Sequence, residues 1–123
     1  MSYLSRLKSE QLDYIQTGIY QKIVLEKKFQ DKTYSQTKLA EDLNVDKRYI
    51  SAAFKLMLNT NYNTFVNKHR VAMAISLFTD RNYNQYNVED IGHAVGFANR
   101  QSFYNAFRHI MGVTPKQYRL NLK

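Results

Sequence analysis

Apolar residues along this chain recur mostly at helical spacing, with polar runs between them. In residues 9–29, SEQLDYIQTGIYQKIVLEKKF, the positions Leu12, Ile15, Ile19 and Ile23 line up three or four apart. That spacing predicts an amphipathic helix with one apolar stripe. Leu25 and Phe29 fall on another face, so the helix is expected to bend or end near Lys27. Residues 1–8 read as a frayed lead or a connection.

The next stretch, YSQTKLAEDLNVDKRYISAAFKLML, predicts two short helices. Ser35 is a good N-cap, and Leu39, Ala40 and Leu43 form a short apolar face. Asn44 can take the left-handed conformation that ends a helix. Asp46 then caps a second helix, with Ile50, Ala53, Phe54 and Met57 along one side. Two short helices around a tight turn make a helix-turn-helix. A longer helix follows, from about Asn63 to Phe78, with Phe65, Ala72, Met73, Leu77 and Phe78 as its apolar contacts. The run TDRNYNQYN is polar and reads as a loop. Then comes a second helix pair, Val88 to Val95 and Arg100 to Met111, broken at Gly96-Phe97. Asn87 and Asn99 are the expected caps, Gly112 the expected end, and Pro115 blocks continuation.

The two pairs repeat one another. Leu39, Leu43, Asn44 and Val45 correspond to Ile91, Val95, Gly96 and Phe97. After a slip of one residue inside the turn, Asp46, Ile50, Ala53, Phe54 and Lys55 correspond to Asn99, Phe103, Ala106, Phe107 and Arg108. Shared character at this many positions predicts two similar structures. Few turn residues support an all-α reading: there are four glycines and one proline. With 123 residues, 44% hydrophobic and 23% charged, the chain has the make-up of an ordinary folded protein.

Charge changes the picture. The net charge is +8, which suits a polyanionic partner such as nucleic acid, an anionic membrane or an acidic protein. No cysteine is present, so thiolate metal sites and disulfides are excluded. The longest apolar run, VAMAISLF, falls far below a membrane span, and the opening MSYLSRLKSEQLDYI does not look like a secretory signal. His69, His93 and His109 are scattered, and no HExxH pair, glycine-rich phosphate loop or nucleophile elbow occurs. Those features argue against an enzyme, and no cofactor, metal site or small-molecule site is evident.

On a helical wheel, Phe103, Ala106, Phe107 and Ile110 share one arc of about 100°. Gln101, Tyr104, Asn105 and Arg108 lie opposite, with Arg100 in the first turn. In the first pair Arg48, Ser51, Ala52 and Lys55 are expected outward. Each second helix is thus expected to be half core and half reading surface. Arg matches guanine O6 and N7 with its planar fork, Asn and Gln match adenine N6 and N7, and Ala suits a thymine methyl. Lys47, Lys55 and Arg108 suit phosphates, which position a protein without reading sequence. Tyr104 is a further phosphate donor or rim residue. The helix starts after Ser35 and Asn87 carry free N–H groups that also suit phosphates.

The stretch IGHAVGFANRQSFYNAFRHIMGVTPKQYR resembles the C-terminal signature of the AraC/XylS transcription regulators. The matching elements are Gly96-Phe97, Phe103, Phe107, Gly112, Thr114-Pro115 and Tyr118-Arg119. LAEDLNVDKRYISAAFK resembles the family's first unit, and Arg70, Ala74 and Leu77 match its linking helix. The polar DRNYNQYNVEDIG resembles a variant common in Bacteroidetes regulators. The resemblance covers residues 34–119. It implies an N-terminal helix and connection in residues 1–33, a first helix-turn-helix in 34–62, a linker helix in 63–79 and a second helix-turn-helix in 80–123. It further implies two recognition helices in successive major grooves of double-stranded DNA. By position, the base-reading sites fall on Arg48, Ser51 and Ala52, then on Arg100, Gln101 and Asn105.

There are departures. Asn105 stands where the family often has Arg or Lys, and Asn44 where Gly is frequent. With small Ser51 and Ala52, reading by the first unit is expected to rest mostly on Arg48. Either a stand-alone regulator or a domain of a longer one is expected, acting in the cytoplasm on the nucleoid. The rival expectation is a protein-interaction module that grips RNA polymerase or another regulator.

Overall fold

Ile15, Ile19 and Ile23 are all essentially inaccessible to solvent, at 1%, 0% and 0% exposure, although they sit four residues apart. In a pure α-helix such a row drifts around the axis by about 40° per step, because four residues overshoot one turn of 3.6. The chain corrects the drift. In the computed structural model, which describes residues 9–122, helix α1 (Ser9–Ile19) runs directly into a wider π-helical turn, Tyr20–Leu25. The expectation for residues 1–8 lies outside the described residues. The helix ends where the sequence predicts: Glu26 closes it, and Lys27 adopts a left-handed φ of 58°.

The chain packs as two compact units. The first runs to Lys28 and resumes over Thr33–Phe65; the second comprises Phe29–Lys32 and the chain from Val66 onward. In the first unit, α2 (Gln36–Leu43) and α3 (Lys47–Leu58) form the first helix-turn-helix, and α1 packs on both. Ser35 caps α2, its hydroxyl accepting from the Lys38 N–H at 3.1 Å. Asn44 ends α2 at φ 56°, as its side chain predicts. The Tyr14 hydroxyl donates to the Leu43 carbonyl at 2.9 Å, tying α1 to the last turn of α2. Phe54 is fully buried, edge-on to Phe65 at 5.5 Å.

Helix α4 (Tyr62–Phe78) begins in the first unit and continues into the second. Its buried residues there are Val66, Val71, Ala74, Leu77 and Phe78. Ala72, expected inward, is exposed, because the inward stripe runs through its neighbour Val71. The second helix-turn-helix is α5 (Val88–Ala94) and α6 (Arg100–Met111). Asn87 and Asp90 form a capping box on α5, and Asn99 caps α6. Gly112 ends α6 at φ 81°. The polar loop before α5 holds one 3-10 turn, Arg81–Tyr83.

One helix goes beyond the sequence expectation. Pro115 does stop α6, but it also opens α7 (Pro115–Leu120), standing in its first turn behind the N-cap Thr114. Proline there has no N–H to lose and a φ already suited to the helix. Helix α7 packs on α5 and α6 and brings Tyr118 to 5.6 Å from Phe107.

The core of the second unit is aromatic. Phe97, Phe103 and Phe107 follow one another at 5.1 and 5.8 Å, and Phe78 meets Phe107 at 5.9 Å. Gly92 lets α6 come this close: a Cβ there would lie 2.4 Å from Phe103 Cδ2. Gly92→Ala is therefore expected to destabilise the protein by about 1 kcal/mol, an overpacking cost of about 1–3 kcal/mol exceeding the helix-propensity gain of about 1 kcal/mol. Thermal melting checks the sign, since propensity alone would make the variant more stable.

The short segment Phe29–Lys32 belongs to the second unit although the first helix-turn-helix follows it. Arg70 Nε donates to the Phe29 carbonyl at 2.6 Å, and its guanidinium lies over the Phe97 ring at 5.5 Å. Gly96, at φ 115°, leaves room for this arrangement: a Cβ would meet the Phe29 oxygen at 2.6 Å.

Candidate nucleic-acid interface

Asp46 does two jobs at the start of α3. Its Oδ1 accepts from the Arg48 N–H at 2.8 Å, which caps the helix. Both carboxylate oxygens also hold the Arg48 guanidinium, with Nε and Nη2 each at 3.1 Å. These hydrogen bonds hold the Asp46 carboxyl below its ordinary range. Arg48 remains 73% exposed, so the pair sits at the surface. Lys47, Ser51 and Lys55 are exposed along the same helix. Ser51 Oγ accepts from Gln36 Nε2 at 2.6 Å, which brings the first turn of α2 up to this face. Nothing in the sequence around Gln36 marks it for this face. Its place beside Ser51 depends on how α2 and α3 pack, which no local motif reports.

Ala52 requires a correction. The wheel puts it outward, against a thymine methyl, but it is only 3% exposed. A wheel assumes one covering neighbour, whereas α3 is packed on by both α1 and α2. Its buried arc therefore widens to include Ile50, Ala52, Ala53 and Phe54. Ala52 is a packing residue.

In the second unit Arg100, Gln101, Asn105 and Arg108 are all exposed on α6, opposite buried Phe103 and Phe107. Tyr104 is half-buried between these faces. Its hydroxyl donates to Glu89 Oε2, on α5, at 2.6 Å. Burial first, and then the bond to Glu89, raise the Tyr104 pKa, so the hydroxyl keeps its proton. That proton is committed to Glu89, which makes Tyr104 a partner of that carboxylate and not an open phosphate donor. The Arg100 guanidinium lies over the Tyr104 ring at 4.2 Å, with its Nε 3.7 Å from the same Glu89 oxygen. Glu89, like Gln36, carries no local signal of this place. Ser35 and Asn87 stand at the helix starts as expected, with their side-chain oxygens engaged as caps.

The structure thus groups Arg48, Ser51 and Lys55 on one open helix face and Arg100, Gln101, Asn105 and Arg108 on another. Each is the second helix of a helix-turn-helix. Among the described residues no group of His, Asp and Glu is arranged to hold a metal ion. None of the helices there is long and apolar enough to cross a membrane.

This is the architecture of a helix-turn-helix protein, and the model of the helix-turn-helix domain family matches residues 39–121. The chain belongs to this family, in its AraC type, which is a DNA-binding transcription-regulator domain and not an enzyme class. It is similar to the uncharacterised HTH-type transcriptional regulator YtdP of Bacillus subtilis strain 168. The two are 28% identical over 81 residues, which make up 66% of this chain and 10% of that protein. It is also similar to an uncharacterised HTH-type transcriptional regulator of Staphylococcus aureus, at 32% identity over 85 residues, 69% of this chain and 11% of the other. The chain therefore spans about a tenth of the length of these curated relatives. Among solved structures, the C-terminal domain of AraT, a response regulator from Geobacillus stearothermophilus, superposes with a TM-score of 0.76. It is 28% identical, with 98% of this chain and 88% of that one covered.

Proposed function

We propose that this chain is the DNA-reading module of a transcription regulator, and that it binds double-stranded DNA sequence-specifically with α3 and α6 each laid in a major groove. The observation that carries this reading is the repetition of one device. Two helix-turn-helix pairs each turn a fully buried phenylalanine inward and exposed Arg-bearing residues outward on the second helix, in a chain of net charge +8. A scaffold that holds both arginines on rigid helices supports base reading better than loops would.

Arg48 and Ser51, then Arg100, Gln101 and Asn105, take base edges in this proposal. Lys47, Lys55 and Arg108 take phosphates, with the main-chain N–H groups after Ser35 and Asn87 beside them. Because the two units follow head to tail in one chain, one protein reads one asymmetric site; a palindrome would instead mirror a two-fold dimer. The place of action is then the cytoplasm, on the nucleoid.

Selection from random duplexes, followed by footprinting and a salt titration, tests this. A recurrent motif without two-fold symmetry, occupied by one protein, is the expected result. Affinity should fall steeply with salt, and Lys55→Ala should flatten the log–log slope by about one unit on any sequence. No enriched motif, or a palindrome filled only by two proteins, would overturn the proposal.

A further inference from the structure

Arg100 is held from two sides. Its plane rests on the Tyr104 ring at 4.2 Å, and its Nε edge faces Glu89 Oε2 at 3.7 Å. Tyr104 is itself fixed by the 2.6 Å bond from its hydroxyl to that same oxygen. The three groups close a ring of contacts between α5 and α6: carboxylate to hydroxyl, aromatic face to guanidinium, guanidinium edge back to carboxylate. A lone exposed ion pair holds a long side chain loosely. A guanidinium that is both stacked and paired has far less freedom, since stacking fixes the plane and the ion pair fixes its rotation within that plane.

We propose that Glu89 is a positioning residue for Arg100, holding the guanidinium by its Nε edge so that its terminal amino groups are pre-aimed at one base edge. This rests on the base-reading role given to Arg100 above. The chemistry is specific to the edge. Guanine O6 and N7 accept the end-on pair of terminal amino groups, so a carboxylate on Nε orients the fork without occupying it. Arg48 differs: Asp46 engages both its Nε and its Nη2, and Asp46 is also the helix cap. Glu89 is not the N-cap of α5, which is Asn87. Removing the Glu89 carboxylate therefore tests positioning without removing a cap.

The arrangement has a second consequence. A carboxylate beside a DNA-facing arginine repels phosphates whatever the sequence. Glu89 thus strengthens binding at the right base and weakens it elsewhere, and removing it should move the two affinities in opposite directions. Loss of a purely structural residue would lower both.

The experiment is a double-mutant cycle of Glu89→Ala and Arg100→Ala, measured on the selected duplex and on a random duplex. It is accompanied by NMR of the Arg100 Nε–H in the free protein. On the selected duplex Glu89→Ala should weaken binding by about five- to tenfold, and it should have almost no effect once Arg100 is alanine. On the random duplex it should strengthen binding by about twofold at low salt. Glu89→Gln, which keeps an acceptor but loses the charge, should recover part of the selectivity. The Arg100 Nε–H should exchange faster in Glu89→Ala and in Tyr104→Phe. Additive losses in the cycle, equal losses on both duplexes, or an unchanged Nε–H signal would each overturn the positioning role. If Arg100→Ala itself weakens both duplexes equally, the base-reading assignment fails. The cycle and the Nε–H signal still decide whether Glu89 acts through Arg100.

Discussion

Phe107→Ala is expected to lower the stability of the protein by about 3–5 kcal/mol, as large aromatic truncations in cores do. The ring is fully buried and touches the rings of Phe78, Phe103 and Tyr118 at 5.6–5.9 Å. Those neighbours come from α4, from α6 itself and from α7, so no single rotamer change closes the hole. Aromatic pairs of this geometry add about 0.5–1.5 kcal/mol each beyond buried area, and several are lost at once. Small domains hold only about 5–15 kcal/mol in total, so the variant should melt far earlier. Hydrogen exchange should place the loss of protection in the second unit. Arg108→Ala, on the open face of the same helix, should shift stability by no more than about 0.5 kcal/mol. Unchanged melting of Phe107→Ala would mean that the inward face of α6 has been misassigned.

Arg100→Ala is the decisive substitution for readout. On the selected site it should cost about 1–3 kcal/mol, roughly a 5- to 150-fold rise in Kd. On random duplex the cost should be much smaller, because only one charge of many is removed from a counterion-release term. Arg48→Ala should behave alike, with its loss mapping to a different base pair of the site. The comparison of two duplexes carries the test. An equal loss on both would make Arg100 a phosphate contact and move base reading to Gln101 and Asn105.

How much of this is legible in the sequence depends on the range of the interaction. Caps are local chemistry, and Ser35, Asp46, Asn87, Asn99 and Gly112 stand where side-chain type alone puts them. Helix α6 has the expected limits for the same reason. The inward phenylalanines are legible from periodicity, because a fully buried row has only one way to face. Three features are not legible in this way. Ala52 is buried because two helices cover α3, and a wheel cannot count partners. Glu89 and Gln36 reach the exposed faces of α6 and α3 through bonds to residues 15 positions away, and those bonds form only when the two helices of each pair pack. Helix α7 does leave a signal. Thr114, Pro115 and Gln117 spell an N-cap, a first-turn proline and a capping box, but a proline just past a helix reads first as a stop.

The segment Phe29–Lys32 has a consequence for excision. The chain leaves the first unit after Lys28, returns at Thr33 and leaves again after Phe65, so the units are interleaved in sequence. No single cut separates them cleanly. A fragment beginning at Val66 would retain Arg70 without the Phe29 carbonyl that receives its Nε, and Gly96 without the backbone it is shaped around. The second helix-turn-helix is therefore not a detachable cassette. Transplanting it into another protein requires carrying along four residues that lie more than thirty positions upstream of the rest.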